Sequence, residues 1–119
     1  MTEINIGKSF SSTPAGRYYS DGDSSGEKFR EEVLWPTLKT LKPNEKLKVI
    51  IDDNVEGYGS SFLVEGFAGV VKHGYMEPTS LLRTIEIVYS DPDFEFYKDK
   101  INQYIKEAKF NSIAYKRNR

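Results

Sequence analysis

Apolar residues fall along this chain in blocks of two different periods, and the blocks predict helices interleaved with strands. Ile4 and Ile6 alternate with polar neighbours, as in a short half-buried strand that Gly7 and Lys8 end. Residues 47–52 form a continuous β-branched run of the buried, parallel-sheet type. Ile85, Ile87 and Tyr89 alternate again and give a further strand. Between these runs the period becomes helical. Phe29, Val33 and Leu34, then Leu38 and Leu41, recur at helical spacing, and Ser24-Ser25-Gly26-Glu27 has capping-box spacing at their start. Pro36 lies inside this pattern and predicts a kink or a split. Residues 62–73 read as a second helix, with Phe62, Leu63, Phe67, Val70 and Val71 on one broad face and Gly74 placed as its C′ residue. Gly66 and Gly69 each weaken that helix by about 1 kcal/mol relative to alanine. Their spacing predicts close approach to the sheet or to another helix. Asp91-Pro92 starts a third helix, traced by Phe94, Tyr97, Ile101, Tyr104, Ile105 and Ala108.

Two weaker elements complete the pattern. Residues 11–26 are dominated by turn-forming Ser, Gly, Asp and Pro, with Tyr18 and Tyr19 as a brief second strand inside them. Residues 113–115 read as a short edge strand. The order predicts one α/β domain over residues 1–119, with a mixed sheet of four to five strands covered by about three helices. In such sheets ligands and modifications collect at the carboxyl ends of the strands.

Ser60 and Ser61 follow the strongest strand at that end, after a turn over residues 54–59 and before the second helix. An anion, or a phosphate carried on a serine, is stabilised beside the positive end of a helix dipole. The plainer reading is that one of the two is an N-cap, contributing about 1 kcal/mol.

This strand–turn–Ser-Ser–helix element resembles that of the STAS domains, the fold of bacterial anti-sigma-factor antagonists. In that family an Asp-Ser-Ser-Gly turn carries a serine that a partner kinase phosphorylates. Here the turn reads Gly59-Ser60-Ser61-Phe62, so Ser61 matches the phosphorylated serine, while Gly59 replaces the aspartate and Phe62 the glycine. The likeness is closer to a divergent bacterial branch, the STAS-like domains of unknown function. Pro14-Ala15-Gly16-Arg17-Tyr18, Asp21-Gly22, Ser25-Gly26-Glu27 and Phe29-Arg30 resemble its first signature. Ser60-Ser61-Phe62-Leu63-Val64-Glu65 with Phe67-Ala68-Gly69 resemble its second. The resemblance implies a STAS-like fold and a regulatory role, with a histidine-kinase-type ATPase or a switch kinase as partner.

Other candidates are fewer. Arg17 in the turn-rich loop and Arg30 in the first helix could clamp a phosphate or carboxylate, or could pair with Asp21, Glu27 or Glu31 inside the fold. His73, the only histidine, falls about three turns beyond Ser61, roughly 18 Å at 1.5 Å per residue, which excludes a shared proton. It reads instead as a last-turn residue set against the helix dipole. Glu65, one turn into the same helix, reads as solvated. Asp21-Gly22-Asp23 lacks the spacing of a calcium loop, and turn chemistry explains it. Tyr58 and Trp35 read as exposed aromatics suited to a protein interface, with Trp35 alternatively capping the core where the first helix bends.

Bulk composition narrows the classes. Seventeen basic against eighteen acidic residues argue against a nucleic-acid surface driven by overall charge. The basic tail, residues 115–119, reads as solvated. Without cysteine there is no disulfide or thiolate metal site. No apolar run is long enough to cross a bilayer, and no signal peptide is visible, so a soluble, cytoplasmic protein is expected. The leading expectation is a non-enzymatic regulatory module without cofactor or metal. It binds a partner protein through Tyr58, Gly59, Ser60, Ser61 and Phe62, flanked by the loop over residues 11–26, with Arg17, Ser25, Glu27 and Arg30 as further binding candidates. The alternative is a nucleotide or anion sensor using the same helix N-terminus with Arg17 and Arg30. An enzyme ranks last, because nothing assembles a nucleophile, a base and an oxyanion site.

Overall fold

A computed structural model of the chain describes residues 2–117. Strand β1 (Thr2–Asn5) leads into a single helical turn, α1 (Ile6–Ser9). Helix α2 runs over residues 26–38, followed by strand β2 (Leu47–Ile50). Helix α3 runs over residues 60–72, α4 is Pro78–Thr84, and strand β3 is Ile85–Val88. Helix α5 (Glu95–Glu107) closes the regular structure.

The sheet has three strands in the order β1-β2-β3, both pairs parallel. The expected mixed sheet of four to five strands under about three helices is therefore corrected, among the described residues, to a three-stranded parallel sheet with five helices. Tyr18 and Tyr19 add no strand: Tyr19–Asp21 is a 3₁₀ turn, held because Asp21 Oδ2 accepts from Arg17 N and Tyr18 N. Residues 113–115 are not an edge strand either. Their backbone is used against α3, where Ile113 N–H donates to Lys72 O and Asn111 N–H to Val71 O. Ile6 starts a helical turn rather than extending β1, because Asn5 caps it by accepting from Lys8 N.

Register places Ile4, Val49 and Ile87 side by side on one face, with Leu47 and Ile85 beside them, and all five are buried. Helices cover that face. Glu3, Lys48 and Glu86 line up on the other, where both glutamates are exposed. An aromatic cluster fills the space above the covered face. Phe29 is its hub, with ring centroids 5.4 Å from Phe10 and 5.5 Å from both Phe62 and Phe67.

Both long helices contain a π turn, Arg30–Leu34 in α2 and Val64–Ala68 in α3. Trp35 N–H reaches back five residues to Arg30 O, just ahead of Pro36. The widened turn accommodates the proline ring, and the helix runs on through it rather than splitting. In α3, Gly69 N–H reaches back five residues to Val64 O. The two helices cross at their glycines. A Cβ on Gly26 would stand 2.6 Å from Phe62 O, and one on Gly69 would stand 2.4 Å from Arg30 Nη1. The predicted close approach of Gly66 and Gly69 is thus met by α2, not by the sheet. Gly74 ends α3 at φ 79°, the left-handed value expected of a C′ glycine.

Candidate functional site

The chain leaves β2 at its carboxyl end, turns through residues 52–59 and enters α3. Gly59 is the N-cap, so neither serine caps the helix. Ser60 and Ser61 occupy the first two helical positions, and among the described residues their hydroxyls make no hydrogen bond. Ser60 is exposed and Ser61 half-buried. The expected N-cap is absent because glycine already holds the extended backbone that a cap requires, at φ −77° and ψ 145°.

Beside them the turn-rich loop and the β2–α3 turn enclose an open groove of about 490 Å³, lined by residues 12–15, residues 56–59 and Tyr97. Tyr58 forms its floor. Its hydroxyl donates to Ile51 O at 2.6 Å, and burial followed by the nearby Asp52 pushes its ionisation well above the ordinary range. The Tyr58 ring meets Tyr97 edge-on at 5.3 Å, and Phe96, 60% exposed, packs against Tyr97 on the rim. Phe96 is a surface aromatic that the helical stripe gave no reason to single out, since it lies off the apolar face of α5.

Other predicted site residues are placed elsewhere. Phe62 is fully buried in the aromatic cluster and presents nothing to a partner. Ser25, also buried, is the N-cap of α2 and accepts from Lys28 N, which removes the expected box between Ser24 and Glu27. Glu27 is buried and accepts from Tyr19 N and Tyr115 Oη, both at 2.8 Å. Trp35 does not stand free: it stacks on Tyr75 at 4.9 Å.

Arg30 is the largest departure. It is fully buried on α2 and shares no hydrogen bond with Ser60 or Ser61. Nε donates to Glu31 at 2.7 Å, and Nη1 donates to Glu65 through both the carboxylate, at 2.8 Å, and the main-chain oxygen, at 2.6 Å. The Tyr115 ring covers the guanidinium at 5.1 Å. These bonds place Arg30 in the α2–α3 junction and not beside the Ser60-Ser61 pair. Glu65 is corrected as well, from solvated to buried. Burial alone would raise its carboxyl, but hydrogen bonds from His73 and Arg30 outweigh it and hold the group below the usual carboxylate range.

His73 stands at the C-cap of α3, as its spacing predicts. Nδ1 faces Ile113 O at 2.9 Å and Nε2 faces Glu65 Oε2 at 3.3 Å. Residues 111–117 therefore cross the α2–α3 junction as a strap and are not a loose tail; of the expected tail, Asn118 and Arg119 lie outside the described residues. Tyr115 meets His73 edge-on at 5.3 Å, and Arg117 lies over the Tyr19 ring at 4.1 Å. Arg17 lines a second cavity at this junction, together with Glu65, Lys72 and His73. The sequence offered no signal for Lys72, which lies half-buried on the polar side of α3.

No family model, curated protein or solved structure matches this chain. Among the described residues no helix is long and apolar enough to cross a membrane.

Proposed function

We propose that this protein is a non-enzymatic regulatory module that docks a partner protein along the groove between residues 12–15 and 56–59, tuned by phosphorylation of the Ser60-Ser61 pair. The observation that carries the reading is an exposed hydroxyl in the first turn of α3, beside an open groove with tyrosines on its floor and wall. The first turn of a helix offers free N–H groups and a positive dipole end, so a phosphate added there is stabilised locally. It also adds about −1.5 to −2 charges to a surface that would otherwise bury Tyr97 and Phe96 against a partner. The partner class, a histidine-kinase-type ATPase or a switch kinase, comes from the STAS-like signatures and not from the fold.

The test is incubation with ATP and the kinase encoded nearest to the gene, read by intact mass. One phosphate is expected on the wild-type chain and none on the Ser60→Ala/Ser61→Ala double variant. Ser61→Asp is expected to change partner affinity at least severalfold. No added phosphate, together with unchanged binding by Ser61→Asp, overturns the reading.

A further inference from the structure

The second cavity, about 270 Å³, is walled by three separated parts of the chain. The turn-rich loop gives Arg17 and Tyr18, the end of α3 gives Glu65, Lys72 and His73, and the strap gives Ile113 and Lys116. Its charges do not balance. Arg17 and Lys72 are half-buried, and among the described residues neither is paired with a carboxylate. Among the described residues Glu65 is the one carboxylate on the wall, and its Oε2 is already held by Arg30 and by His73. A half-buried cation without a counter-charge is costly unless water or an anion supplies the missing acceptors.

We infer that this cavity is a binding site for a small phosphomonoester, with the Arg17 fork and the Lys72 ammonium gripping the phosphate from opposite walls. Arginine offers paired N–H donors that match the oxygens of a phosphate, and lysine adds a point charge that can follow a third oxygen. At about 30 Å³ per water the cavity equals roughly nine waters, which leaves room for an organic group attached to the phosphate. His73 has both ring nitrogens engaged, with Ile113 O and Glu65, so it offers the ligand no hydrogen bond. The strap forms one wall, and a ligand seated there would hold residues 113–116 against α3. The site is separate from the Ser60-Ser61 pair and does not depend on the docking reading.

Calorimetric titration of the full chain with glycerol phosphate tests the inference, with glycerol and inorganic phosphate as comparators. Glycerol phosphate is expected to bind with a dissociation constant of about 1 mM or tighter, near −4 kcal/mol. It should bind more tightly than inorganic phosphate, and glycerol should not bind. Arg17→Gln and Lys72→Gln are each expected to weaken binding at least tenfold, with unchanged thermal unfolding showing that the fold is intact. Ser60→Ala/Ser61→Ala is expected to bind as the wild type does, which locates the site away from the α3 N-terminus. Absence of binding by the wild type, binding indifferent to both Gln variants, or loss in the double-serine variant would each overturn it. A chain that takes no phosphate from the kinase, whose Ser61→Asp variant binds the partner unchanged, but that shows this titration pattern would end the docking reading and leave the cavity assignment standing.

Discussion

Arg30 holds Glu65 twice with one nitrogen: Nη1 donates to the carboxylate at 2.8 Å and to the same residue's main-chain oxygen at 2.6 Å. Both residues sit in π turns, so two widened helical turns meet at a buried charge pair. Glu65→Ala leaves the guanidinium buried with Glu31 as its remaining carboxylate, and is expected to cost about 3 kcal/mol in urea unfolding. The double replacement Arg30→Met/Glu65→Leu removes both charges and is expected to lose much less. If the double variant is as unstable as the sum of its singles, the pair is not coupled as drawn.

Acid provides a second handle on the same carboxylate. Its folded-state ionisation is depressed, so the folded chain binds fewer protons there than the unfolded chain. The stability it contributes is present above the ordinary glutamate value of about 4.3 and drains away as pH falls through the depressed one. The gap in melting temperature between wild type and Glu65→Gln should therefore narrow as pH is lowered from neutral to about 3. A gap independent of pH would contradict the assignment.

Gly26→Ala distinguishes packing from propensity. In an unconstrained helix the change would gain about 1 kcal/mol. Here the new Cβ meets main-chain atoms of α3, Phe62 O at 2.6 Å and Gly66 N at 2.8 Å, and cannot be relieved by turning a side chain. A loss of about 2 kcal/mol is expected on denaturant unfolding. A gain would mean that α2 and α3 stand further apart.

Gly59→Asp should stabilise the protein. The backbone there is already extended, and a Cβ meets nothing within 4 Å. The carboxylate supplies the cap that glycine lacks and a charge at the positive helix end, together about 0.5–1 kcal/mol. Unchanged or lowered melting temperature would count against the observed helix start.

Tyr115→Phe isolates the strap. It deletes the bond to buried Glu27 while keeping the ring over Arg30. A loss of about 1–2 kcal/mol is expected, with faster amide exchange at Ile113, whose N–H is bonded to Lys72 O. Exchange unaltered from wild type would show that Tyr115 does not fasten the segment.

Where one period runs on unbroken, the sequence is easy to read. The β-branched run in β2 and the apolar face of α3 each have one interpretation, and α3 begins two residues earlier than predicted. Helix α4 escaped because, over Pro78–Thr84, only Leu81 is buried and no stripe can form. Its start is nonetheless visible in Glu77-Pro78, an N1 proline of the kind recognised at Asp91-Pro92. The polar residues at the start of α2 are hard to read for a different reason. Ser25, Glu27 and Arg30 look like ligand groups because they are polar, but their partners, Lys28 N, Tyr115 and Glu65, include groups 88 and 35 residues away. Pairing over such separations leaves no local pattern. The serine pair was legible because a strand end, a glycine turn and a helix start are all local.

The wet face of the sheet carries one cross-strand row of charge, Glu3, Lys48 and Glu86, with the lysine in the middle. Each neighbour in the row attracts the next, so the row favours the observed register. Its two ends carry the same sign. A second molecule arriving edge-on, parallel and in step, would set Glu86 against Glu3 and be repelled at the first rung. The lysine stands in the middle of the row and not at an edge, so stacking into a filament is opposed by the same side chains that align the strands.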